Sequence, residues 1–225
     1  MNRSKPAITA GVLLLAAASF MPAASHADTA VPAQSGFLGD YSRLEKAGMP
    51  QNHYYVYRDA QQAGYSGKTV YLIPAVVYPT GATFPNVDPA VAEEVLKEFD
   101  LQLRQRLVKR GGVAEAAAGA DMVLQVAVTQ VVSEEKGKTV VDLVPARAVM
   151  NVAKDVAMGE ALVAATSLEA KLVDARSGKV IAELIQHSPG KGIGRSGSEK
   201  THVTIDALRP AIADSAKLVA EQMIP

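Results

Sequence analysis

The chain has 225 residues, 48% hydrophobic and 5% aromatic, and its 23 Lys and Arg balance 23 Asp and Glu. This length admits one domain with extensions or two small ones, and the apolar fraction excludes disordered, collagen-like and coiled-coil chains. Zero net charge argues against a general nucleic-acid binder, and the absence of Cys removes disulfides, thiolate zinc sites, thiol catalysis and an acylated cysteine anchor together.

Residues 1–27 read as a secretory signal peptide. Arg3 and Lys5 form its positive start, and the apolar run from Ile8 to Phe20 is shorter than the roughly 20 residues of a bilayer span. Pro22 breaks the run, and Ser25 and Ala27 set small residues where cleavage before Asp28 is expected. The product would be periplasmic, without a lipid anchor and at most peripheral to the outer membrane, since no later stretch is apolar enough to span one. Residues 28–35, polar and broken by Pro32, read as a tether ahead of a single domain over 36–225. Phe37, Leu38, Tyr41 and Leu44 then read as a hydrophobic clasp packing the entry segment onto that domain.

His53 to Arg58 and Thr69 to Tyr78 are rich in Val, Ile and Tyr and read as strands. Asp88-Pro89 starts a helix, because Asp caps free N–H groups and Pro is tolerated at the first helical position. Val95, Leu96, Phe99, Leu103 and Leu107 share one of its faces, and Gly111-Gly112 ends it. Early Glu93, Glu94 and Glu98 and late Arg104, Arg106, Lys109 and Arg110 suit the helix dipole, so this charge run reads as a solvated face.

Asp121 to Val132 and Leu162 to Val173 alternate apolar and polar, as half-buried strands do. Val180 to Ile185 pairs back through a turn at Gly178. A last helix over Ile205 to Met223 carries Leu208, Ile212, Val219 and Met223 on one face, with Pro210 near its start. The order predicts a two-layer α+β domain: an antiparallel sheet of about four to five strands, covered on one face by two amphipathic helices. The other sheet face is left for solvent or a partner.

Val140 to Met158 lies between two strands, and Val149, Val152 and Val156 in it are spaced like a short helix. These valines either fold back onto the core or meet a partner or a membrane surface.

Ser35 to Leu44, the Tyr71 to Pro79 strand, the Asp121 to Val131 strand and Leu168 to Ala182 with its Asp-Ala-Arg-Ser-Gly turn resemble the bacterial envelope family catalogued as domain of unknown function 3313. The resemblance spans about residues 35 to 224. Members of that family are usually described as candidate lipoproteins, a property that a chain without Cys does not inherit, and the family carries no catalytic residues to transfer. The element order is also similar to periplasmic domains of the curli-secretion lipoprotein and TolB N-terminal type, an analogy of fold alone.

Catalytic patterns fail in turn. Gly192 to Gly197 matches a dinucleotide-binding string but follows an antiparallel hairpin, and Gly194 to Thr201 lacks the Gly that a phosphate loop needs before Lys200. Ser196 is followed directly by Gly197 and does not form a nucleophile elbow, and no spacing ties it to His53, His187 or His202. His202 and Asp206 could share a helix face with His187 as a third metal ligand, although such histidines are more often surface residues. Lys191, Arg195 and Lys200 make one glycine-rich loop basic, either an anion-binding loop or solvated charges. The sequence therefore predicts no catalytic, metal or cofactor residue. It points to a binding or assembly module whose partner is another envelope protein or a second copy, with no nucleic acid; the alternative is a hydrolase or metal-dependent enzyme built on the His187–His202 region.

Overall fold

A computed structural model of the chain describes residues 34–49, 52–84, 87–110, 112–135, 161–195 and 202–224. The signal peptide with its Ala27/Asp28 boundary, the valines Val149, Val152 and Val156, and Ser196 and Lys200 lie outside the described residues.

Among the described residues seven strands and two α-helices follow one another: β1 (Glu45–Met49), β2 (Asn52–Arg58), β3 (Val70–Leu72), β4 (Val76–Val77), α1 (Pro89–Arg110), β5 (Met122–Glu135), β6 (Ala161–Asp174), β7 (Val180–Arg195) and α2 (Ile205–Met223). They make a single sheet in the order β1-β2-β7-β6-β5-β3, with β4 also on β5. The α+β class holds. The strand count and the all-antiparallel character do not, because β3 and β4 run parallel to β5. The cause is the connection: a helix placed between two neighbouring strands returns the chain in the same direction, which a hairpin cannot do. Pro74 splits the predicted Thr69–Tyr78 strand into β3 and β4, and the Ala75 N–H beside the break donates to the Asp100 carboxylate of α1 at 3.0 Å.

Both helices pack on the same face. Val95, Phe99, Leu103 and Leu107 of α1 and Leu208, Ile212, Val219 and Met223 of α2 are buried, as their spacing predicts. They close over Met122, Leu124, Val126 and Val128 of β5, Leu168, Ala170 and Leu172 of β6, and Ala182 and Leu184 of β7. Each large side chain so buried contributes roughly 1.5–3 kcal/mol. The carbonyls at the end of α2, which have no helical partners, are met by side chains: Arg58 Nε donates to Gln222 O and Gln62 Nε2 to Met223 O, both at 3.1 Å, and Arg110 donates to Ala220 O.

The β6–β7 turn is built on Asp174, whose Oδ1 accepts from Ser177 N at 2.7 Å, Ser177 Oγ at 2.8 Å and Arg176 N at 3.1 Å, while Gly178 takes φ 69°. These bonds, Ser177 N–H first, with a further one from the Tyr65 hydroxyl, hold the Asp174 carboxyl far below the ordinary range. A lowered folded-state pKa contributes stability that is present above the unfolded pKa of about 3.9 and lost as pH falls toward the folded value. Asp174→Ala is therefore expected to lower Tm at pH 7, with the gap to wild type narrowing below about pH 4. A gap of constant size through thermal melts from pH 7 to pH 2 would contradict this account of the turn.

Candidate functional site

The sheet face opposite the helices carries the polar half of the strand alternation. Across it Glu169 pairs with Ile185 and Ile185 with Tyr55, and one row along Lys171 pairs with Glu183 and Glu183 with Tyr57. Residues 35–44 lie over these rows as a strap. Leu38, Tyr41 and Leu44 are buried in a second apolar cluster with Tyr55 and Ile185, and Phe37 packs edge-on against Tyr78 with ring centres 5.6 Å apart. The clasp read from the sequence is thus present. Its docking begins at Ser35, inside the stretch read as tether.

Two carboxylates lie beneath the strap. Glu169 is 1% exposed; it accepts the Tyr41 hydroxyl on Oε2 at 2.6 Å and the Ser35 N–H on Oε1 at 3.2 Å. The same Tyr41 oxygen accepts the N–H groups of Gly36 at 2.8 Å and Leu38 at 3.4 Å, so one phenol ties the strap's turn to the sheet. Glu183 is 0% exposed and accepts Arg43 Nη2 on Oε2 at 2.8 Å, while its Oε1 is buried with no hydrogen-bond partner. The Arg43 guanidinium stacks 4.1 Å over the Tyr57 ring, with Nε 3.5 Å from Asp40. Lys171 Nζ sits 5.1 Å from the Phe37 ring centre and 3.5 Å from Phe37 O.

Burial dominates the electrostatics. It pushes both carboxyls above the ordinary Glu range; bonds from Tyr41 and Ser35 pull Glu169 partly back, and the charge of Arg43 does so for Glu183. Tyr41 is raised as well, by burial first and by Glu169 next.

Beside the strap a third row crosses the same face, Gln130 to Ser167 to His187. Ser167 Oγ is 2.9 Å from His187 Nδ1 and 3.2 Å from Gln130 Oε1. When the single hydroxyl proton goes to Gln130, His187 Nδ1 must be the donor, the reverse of what activates a serine.

Of the described catalytic, metal and anion-site candidates singled out from sequence, His187 lies on this face. Lys191 is exposed on β7 and Arg195 ends that strand opposite Ala161, so these two lie on a strand and not on a glycine-rich loop. His202 is exposed and precedes the Thr204 cap of α2, so it does not share a helix face with Asp206, which pairs with Arg209 at 3.0 Å. Among the described residues no three His, Asp or Glu side chains form a metal-ligating group. What sequence reasoning missed is Glu169, Glu183 and Arg43. The alternation assigned Glu169 and Lys171 to the correct face, but nothing local signals that Glu169 is covered.

Residues 33–219 match the family model described as Protein of unknown function (DUF3313). No curated protein matches the sequence. Among solved structures, the hypothetical protein CT253 of Chlamydia trachomatis is similar at 12% identity over 69% of this chain and 96% of its own, with a TM-score of 0.44. The PelC dodecamer protein of Paraburkholderia phytofirmans is 15% identical over 81% and 98%, with a TM-score of 0.35. Lipoprotein GNA1162 of Neisseria meningitidis is 13% identical over 69% and 97%, with a TM-score of 0.33.

Proposed function

Because the chain belongs to the DUF3313 family of proteins of unknown function, with no activity to inherit from it, we propose that it is an exported, non-enzymatic module of the cell envelope that binds or assembles with another envelope component. One observation carries the reading: two carboxylates on the sheet face away from the helices are engaged by the chain's own entry segment, Glu169 by Tyr41 and Glu183 by Arg43. Such groups fasten a surface and leave little chemistry to offer a substrate. The export pattern of residues 1–27 supports the location, and among the described residues no helix is long and apolar enough to cross a membrane. If the partner is an envelope protein or a second copy, the segment with Val149, Val152 and Val156 is the surface proposed to touch it.

The test combines location and partnership. Osmotic shock is expected to release a protein beginning at Asp28, and a Val149→Ser/Val152→Ser variant is expected to melt like wild type while losing the partner recovered from envelope extract. Full-length chain in a carbonate-resistant membrane pellet would refute the location. A second reading, a hydrolase, is favoured only by the 2.9 Å contact between Ser167 and His187. Substrate turnover abolished by both Ser167→Ala and His187→Ala would replace the first reading by the second.

A further inference from the structure

The strap owes little to backbone pairing and much to Glu169 and Glu183. No strand of the sheet includes residues 35–44, and the bonds that fasten it run from Ser35 and Tyr41 to Glu169, from Arg43 to Glu183, and from Lys171 to Phe37 O. Lifting it would return both carboxylates to water, where the ionised form is favoured; closing it desolvates them. We propose that residues 35–44 are a proton-linked strap, held shut by acid and loosened as pH rises, which gates the sheet face beneath it.

The bonding accommodates the extra protons. A protonated Glu169 can reverse its 2.6 Å bond and donate to the Tyr41 oxygen, the Tyr41 hydroxyl then turning to Ser35 Oγ at 3.5 Å, while Oε1 still accepts from Ser35 N–H. A protonated Glu183 releases the charge of Arg43, which remains stacked on Tyr57 and beside Asp40, and burying the neutral acid costs less than burying the carboxylate, whose Oε1 has no hydrogen-bond partner. The groups facing the two carboxylates are Asp40, Tyr41 and Arg43 from the strap, Lys171 from β6, Tyr55 and Tyr57 from β2, and His187 along β7. Arg43 and Lys171 oppose proton uptake at Glu183, and Asp40 favours it, but burial is the largest influence on both carboxyls.

The sign follows from linkage. Both carboxyls are raised in the closed state, so that state binds more protons than the open one; closure is favoured at low pH, and the advantage is lost as pH rises through the closed-state values. Each pH unit between the open and closed values of one carboxyl changes the opening constant about tenfold.

Hydrogen exchange of the Gly36 and Leu38 amides, both bonded to Tyr41, reads the opening directly. Corrected for intrinsic rates, the opening constant is expected to rise from pH 5 to pH 8, by at most about tenfold per carboxyl for each pH unit below its closed-state value. The Gln125 amide, on the side of β5 that faces β6, reports global unfolding and should remain the more protected at every pH. Glu169→Gln with Glu183→Gln should flatten the strap's profile. Should that variant fail to fold, carboxyl-carbon NMR titration of wild type decides, with both Glu169 and Glu183 expected to titrate above the ordinary Glu value. Equal opening constants at pH 5 and 8, strap amides that exchange only with the ladder, or either carboxyl titrating in the ordinary range or below would overturn the proposal.

Discussion

Gly190→Ala is expected to cost about 3 kcal/mol, at the upper end of overpacking penalties. A Cβ at this position would stand 2.3 Å from Ala207 O, 3.3 Å from Ala207 C and 3.0 Å from Ala164 O. All three are backbone atoms, in the first turn of α2 and near the start of β6, so relief requires the helix to lift from the sheet. Lifting it loosens Ala207, Leu208 and Ala211, which are buried where α2 crosses β7. For a domain of this size the loss corresponds to a Tm lower by about 6–12 °C. Gly192→Ala is the control, since a Cβ there meets only Leu162 O at an ordinary 3.6 Å, and its Tm is expected within about 2 °C of wild type. Equal melting of the two variants would show that α2 does not press on β7 at Gly190.

The same glycine explains where the sequence could be read and where it could not. Pro189, Gly190, Gly192 and Gly194 look like a loop, so the strand seemed to end at Ile185; it continues to Arg195 because Ala161 to Ala165 of β6 offer partners, with register shifts along the way. Glycine at 190 answers to a helix arriving from a later part of the chain, which no local pattern contains. Helix α1 was legible because Val95, Phe99, Leu103 and Leu107 repeat at four-residue steps and all four are buried. Strand β1, Glu-Lys-Ala-Gly-Met, has no alternation to detect and exists by pairing with β2. At the candidate site the apolar half was visible, since Phe37, Leu38, Tyr41 and Leu44 are close in sequence. The polar half was not: Tyr41 meets Glu169 across 128 residues and Arg43 meets Glu183 across 140.

That long-range pair gives the second large effect. Arg43→Met keeps an apolar stem near Tyr57 but removes the cation from Glu183, whose side chain is 1% exposed. Removing one partner of a buried pair costs about 3–5 kcal/mol because the other charge is left uncompensated. Arg43 is itself a third exposed, so a loss of about 3 kcal/mol at pH 7 is expected. The loss should shrink with acid: without Arg43 the carboxyl rises further above its ordinary value, and a group raised on folding contributes more stability as pH falls through the folded-state value. Denaturant unfolding of both proteins at pH 5 and pH 8 should therefore show the gap smaller at pH 5. Arg43→Met/Glu183→Met should regain most of the loss, because an apolar pair needs no counter-charge and Ile185 and Tyr57 already make that surface apolar. If the single variant is equally weakened at both pH values and the double variant recovers nothing, what Arg43 provides is its stacking on Tyr57, and the ion pair beneath the strap is incidental to how the strap is held.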